Sequence, residues 1–135
     1  MYLLDTNVVS ELRKPKPHGG VAAWLDRQPN SSLFICSLTI GEIQMGIEKT
    51  RRQDREKADE IEAWLDRLVT TGQILSPDAQ TYRIWAKMVT GQSHTVYEDA
   101  LIAACAKSHG LVVATRNVKH FALFDVPVLN PFDEG

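Results

Sequence analysis

Strand-length apolar runs alternate with segments whose apolar residues recur at helical spacing, and no other feature of the chain limits its fold so tightly. The runs are Tyr2-Leu3-Leu4, Leu33-Phe34-Ile35-Cys36, the weak pair Ile74-Leu75, Leu111-Val112-Val113-Ala114 and Val126-Pro127-Val128-Leu129. Such alternation specifies a parallel sheet covered on both faces. The expected fold class is therefore α/β, a three-layer α/β/α domain with a sheet of about five strands. Pro127 places the last run at a sheet edge, because proline cannot donate to a ladder.

Between these runs the helical segments are readable. Val8 to Arg13 makes a short helix stopped by Lys14-Pro15-Lys16-Pro17. Val21, Trp24 and Leu25 mark a second helix that closes at Pro29. Thr39-Ile40-Gly41-Glu42 has the S/T-x-x-E pattern of a capping box and opens a third, with Ile43 and Ile47 on one face. A polar tract from Glu48 to Glu60 reads as a solvated helical surface, continued by the amphipathic face of Ile61, Trp64, Leu65 and Leu68 until Gly72. Ala79 to Val89 is the next helix. Thr95-Val96-Tyr97-Glu98 is a second capping box, and the helix after it is apolar nearly all round, which predicts burial.

Composition limits the functions open to this fold. At 135 residues a single domain over 1–135 buries a sufficient core without disulfides. The formal net charge of -2 gives no general attraction for a polyanion, so any nucleic acid must be met by a local basic patch or by bound cations. Lys49, Arg51, Arg52, Arg55 and Lys57 form a basic cluster, diluted by acids at 48, 54, 56, 59 and 60. Cys36 and Cys105 sit in apolar runs without C-x-x-C spacing and read as buried free thiols, which suggests a reducing cytoplasm. No run reaches the roughly 18 to 20 apolar residues of a membrane span.

Three of the strand-like runs break at once into polar residues: Asp5-Thr6-Asn7, then Ser37 and Thr39, then Thr115-Arg116-Asn117. In open α/β sheets that carboxyl edge is where ligands bind. Asp5 follows the first strand, Glu42 lies in the helix after the second, and Asp99 lies in the first turn of the helix leading to the fourth. Each has a local structural alternative: Asp5 as a helix cap, Glu42 as a capping-box partner, Asp99 as a dipole-stabilising acid. If the strands are neighbours, the three carboxylates converge, and converging carboxylates either hold protons or bind a hard cation. An all-oxygen donor set suits Mg²⁺ or Mn²⁺, and such a cation can ionise a water and brace a phosphodiester's leaving oxygen. Asp5→Ala or Asp99→Ala is then expected to abolish activity and leave the fold intact.

The segments Leu3-Leu4-Asp5-Thr6-Asn7, Ser37-Leu38-Thr39-Ile40-Gly41-Glu42, Glu98-Asp99-Ala100-Leu101-Ile102-Ala103-Ala104, Ala114-Thr115-Arg116-Asn117 and Val128-Leu129-Asn130-Pro131-Phe132 together resemble the PIN-domain toxins of the VapC and FitB type. The resemblance spans essentially the whole chain. It implies a PIN-like fold and a Mg²⁺- or Mn²⁺-dependent ribonuclease, with Asp5, Glu42 and Asp99 as the acidic metal site and Thr6, Thr115 and Asn117 in support. It further implies silencing by a cognate antitoxin protein, a homodimer, contact with DNA only through the antitoxin, and cleavage that leaves a 5′-phosphate. Arg116, His120 and the basic tract are candidate RNA contacts. Many relatives carry a fourth acid where this chain has His120, which puts a second metal in question. Two competing readings are a non-catalytic dimeric partner in an antitoxin's DNA-binding complex and a phosphatase with Asp5 as nucleophile. The latter lacks a second acid two residues on, where Asn7 stands.

Overall fold

A computed structural model of the chain describes residues 1–133. Its centre is a five-stranded parallel sheet built from β1 (Tyr2–Leu4), β2 (Leu33–Cys36), β3 (Ile74–Leu75), β4 (Val112–Ala114) and β5 (Val128–Leu129). The strands lie in the order β3-β2-β1-β4-β5. The α-helices among the described residues are α1 (Thr6–Val9), α2 (Gly19–Asp26), α3 (Ser37–Arg51), α4 (Arg55–Thr71), α5 (Ala79–Val89), α6 (Tyr97–His109) and α7 (Val118–Phe121).

Successive side chains of a strand point to opposite faces, and the two cores follow from that rule. Leu3, Cys36 and Val113 pack on one face with α6 residues such as Ile102 and Cys105 and with Phe121. Leu4, Ile35 and Ala114 pack on the other with Val8, Val21, Trp24, Ile43, Ile47 and Leu65. Cys36 and Cys105 are both buried and unbridged. The register sets Leu4 beside Ile35 and beside Ala114, so the chain leaves β1, β2 and β4 at a common level. Asp5 N–H extends that level by donating to the Ala114 carbonyl at 2.9 Å. β5 is an edge strand, as Pro127 requires, and shorter than the apolar run around it.

Several local expectations are corrected. The first helix begins at Thr6 and passes into a 3₁₀ turn over Ser10–Arg13. The polar tract is not one helix: α3 ends at Arg51, and Asp54 restarts the chain by accepting the Lys57 N–H at 3.0 Å. The chain then folds back, with Arg51 bridging to Glu62 (2.7 Å) and Gln44 reaching the same carboxylate (2.8 Å). Neither capping box forms. α3 already starts at Ser37, which leaves Thr39 and Glu42 inside it, and α6 follows a 3₁₀ turn whose cap is Ser93.

Candidate active site

β1 is the middle strand, so Asp5 leaves the sheet at the centre of its carboxyl edge. The side chain is 5% exposed and is held by three donors. Thr6 N–H donates to Oδ1 at 2.8 Å, while Thr115 Oγ1 and Asn7 Nδ2 donate to Oδ2 at 2.8 and 3.2 Å. Asp5 is thus the helix cap, and capping leaves it at the sheet edge where a site residue would stand; the two readings do not exclude one another. Burial raises its pKa and the nearby Asp99 charge adds to the rise, against the hydrogen bonds from Thr115, Thr6 and Asn7.

Glu42 reaches the same edge from α3. Its Oε1 accepts from Thr6 Oγ1 at 3.0 Å, and that hydroxyl lies 3.1 Å from Oγ1 of the fully buried Thr39. The residues of the expected capping box therefore meet through Thr6 and not through the backbone. Burial pushes the Glu42 carboxyl up to about 7, with further upward pressure from the Glu98 and Asp5 carboxylates. Asp99 approaches from α6, on the opposite face of the sheet, and its Oδ2 lies 3.1 Å from Nδ1 of His120. The acids thus straddle the sheet edge, one from each layer and one from the sheet itself.

Thr115 is fully buried and its hydroxyl also accepts the Asn117 N–H at 2.9 Å, which fixes the loop after β4. Arg116 N–H donates to Asn7 Oδ1 at 3.2 Å, and its guanidinium lies 3.9 Å over the Phe132 ring. Thr6 and Thr115 therefore touch the acids directly, while Asn117 is joined to them only by its backbone N–H through Thr115. Arg51 does not join them. Its guanidinium is engaged by Glu48, Asp59 and Glu62, so this member of the basic tract serves the α3–α4 pairing.

Two residues with no expected role stand in the site. Asn7 bridges Asp5, Thr115 and Arg116, a position signalled by its place two residues after Asp5. Glu98 faces Glu42, although its spacing from Thr95 read as a capping box.

Among the described residues no three His, Cys, Asp or Glu side chains are grouped closely enough to enclose an ion. The donor chemistry nevertheless fits a hard divalent cation. Asp5 is repelled by Asp99, and Glu42 by Glu98 and Asp5, so positive charge at this edge relieves every one of those repulsions. Asp5→Ala would not be structurally silent, contrary to the expectation from repulsion alone, because it strips three donors of their acceptor.

Comparison with known proteins covers the same ground. A PIN domain family model matches residues 2–125. The toxin FitB of Neisseria gonorrhoeae is 33% identical, over 99% of this chain and 100% of its own length. A VapC ribonuclease of Sinorhizobium fredii is 31% identical, over 98% and 99%. Among solved structures, FitAB bound to a DNA fragment is 32% identical with a TM-score of 0.83, covering 98% of this chain and 96% of that one. FitAcB from Neisseria gonorrhoeae is likewise 32% identical, with a TM-score of 0.79 and coverage of 98% and 99%.

Proposed function

The chain belongs to the PIN-domain family, and from that premise we propose that it is an endoribonuclease, the toxin of a toxin–antitoxin pair, hydrolysing RNA phosphodiester bonds with Mg²⁺ or Mn²⁺. The observation that carries the reading is the approach of Asp5, Glu42 and Asp99 to one sheet edge from the sheet and both of its helical layers, in a chain similar along its whole length to a VapC ribonuclease. Those three carboxylates would hold the cation, which supplies a more acidic water and charge neutralisation at the phosphate.

The chain's own groups do the rest. Thr115, Asn7 and Thr6 orient Asp5, and Thr6 also orients Glu42, so two ligands share one positioning hydroxyl-bearing residue. His120 holds Asp99 at the opening of the site. Arg116 and His120 are the RNA-facing residues, and water attack in line leaves a 5′-phosphate.

A cognate antitoxin protein is the proposed partner, with DNA met through it and the toxin as a homodimer; the similar FitAB structure is one bound to a DNA fragment. Among the described residues no helix is long and apolar enough to cross a membrane. An RNA substrate places the action in the cytoplasm. A non-catalytic role in an antitoxin complex is the competing reading, and one assay separates the two. The purified, antitoxin-free protein should cleave RNA with Mg²⁺ or Mn²⁺ and stop in EDTA, and Asp99→Asn should be inactive. Undiminished cleavage in EDTA would overturn the metal assignment, and no cleavage under any metal would favour the non-catalytic role.

A further inference from the structure

Next to the acids the molecule carries a second feature of the opposite sign. Arg116, Lys119 and His120 are exposed on the β4–α7 segment and line, with Asn130 and Asp133, a cleft of about 490 Å³. One wall of it is held by a chain of contacts. Arg116 is tied through its N–H to Asn7, itself bonded to Asp5, and its guanidinium stacks on Phe132. Phe132 is set in turn by the His18 ring, edge-on at 5.0 Å, and by its N–H to Asn130 Oδ1 at 3.0 Å. Asn130 Nδ2 also donates to Asp133, the one carboxylate among the described residues that line the cleft, at 3.2 Å. His120 belongs to cleft and acid site at once through its contact with Asp99. A chain of net charge -2 that must bring a polyanion to a carboxylate cluster needs such a local cationic surface.

We propose that this cleft is the subsite for the nucleotide flanking the scissile phosphodiester of single-stranded RNA. Arg116 and Lys119 take its phosphate, and Asn130, with the planar Arg116–Phe132 stack, meets its base. A splayed single strand is favoured over a duplex because unstacked bases can lie on guanidinium and aromatic planes. The proposal rests on the ribonuclease reading and adds to it the place of the neighbouring nucleotide.

The test is binding of a fluorescein-labelled single-stranded RNA of about ten nucleotides, read by anisotropy in EDTA between about 50 and 200 mM salt. Each phosphate contact on a single strand contributes about 0.7 to the slope of log affinity against log salt. Arg116→Ala and Lys119→Ala should each lower that slope by about 0.7. Arg116→Lys should restore the slope but not the full affinity, since an ammonium does not stack as a guanidinium does. Lys107→Ala, beside Asp125 and outside the cleft, should leave both unchanged. Wild-type slopes in both cleft variants of a protein that still cleaves RNA with Mg²⁺ would overturn the subsite and leave the ribonuclease reading standing. Neither binding nor cleavage by the wild type would overturn both.

Discussion

Asp5 shows how one residue can answer to two physical demands. Its carboxylate is the acceptor for Thr6 N–H, Asn7 and Thr115, so Asp5→Ala should lower stability by about 1–3 kcal/mol, the cost of leaving buried donors unpaired. Asp5→Asn keeps one of the two accepting oxygens and should lose less; equal losses in denaturant titrations would show that the hydrogen bonds are not what matters. Glu42 behaves in the opposite sense. Its folded pKa is pushed from 4.5 up to about 7, so the native state binds more protons than the unfolded state across that interval. The metal-free protein should therefore lose stability as pH rises from 4.5 through about 7, and Glu42→Gln should flatten that part of the profile. Melting temperatures in EDTA decide it, and parallel profiles for the two proteins would refute the assignment. Asp5 and Asp99 were readable as candidates because one stands where an apolar run gives way and the other in the first turn of a helix, whereas Glu42 was singled out by a capping-box pattern that does not form. Glu98 was not readable as one, because its contact with Glu42 joins residues 56 positions apart by difference of numbering. No local pattern encodes such a pairing.

At the level of elements, the period of the apolar residues predicted the strands and most helices, since burial on a fixed face is what both the pattern and the fold express. Helix starts were less legible. An S/T-x-x-E pattern describes a box only if the chain turns helical at its first residue, and here α3 begins two residues earlier, turning Thr39 into the core and Glu42 toward Thr6. The break between α3 and α4 was hidden for a similar reason: no glycine or proline marks it, and the only local signal is Asp54 before Arg55. Two forces hold α4 in place, and their sizes differ. Arg51 bridges the helices from a partly exposed position, and exposed ion pairs contribute about 0–1 kcal/mol. Leu65 is buried at 2% exposure in the core beneath α4, and Leu→Ala at such sites costs about 2–5 kcal/mol. Arg51→Ala should thus be mild and Leu65→Ala severe in equilibrium unfolding; the reverse order would mean that the ion pairs, not the apolar face, fix α4.

The strand order β3-β2-β1-β4-β5 belongs to the whole molecule, and periodicity does not contain it, because every parallel arrangement buries the same alternating residues. The resemblance of the motifs implied a PIN-like fold and left the neighbours of each strand open. The consequence of the strand order is that Glu42 and Asp99 come to the edge held by Asp5 from opposite layers, and that like charge there raises the carboxyl pKa values of Asp5 and Glu42. A divalent cation bound there would tie both layers to the central strand and stabilise only the folded state, where the three carboxylates approach one sheet edge. Mg²⁺ should therefore raise the melting temperature by an amount that grows with the logarithm of its concentration, reaching about 2.7 kcal/mol of stabilisation at a hundred times the dissociation constant. Screening of repulsion by salt in general would also raise it, so the control is NaCl at matched ionic strength, which should give a smaller shift. Asp99→Asn removes one ligand and one repulsion, so it should melt higher than the wild type without Mg²⁺ and respond less to its addition. A wild-type shift fully reproduced by NaCl, or an undiminished Mg²⁺ response in Asp99→Asn, would mean that this edge does not bind the ion.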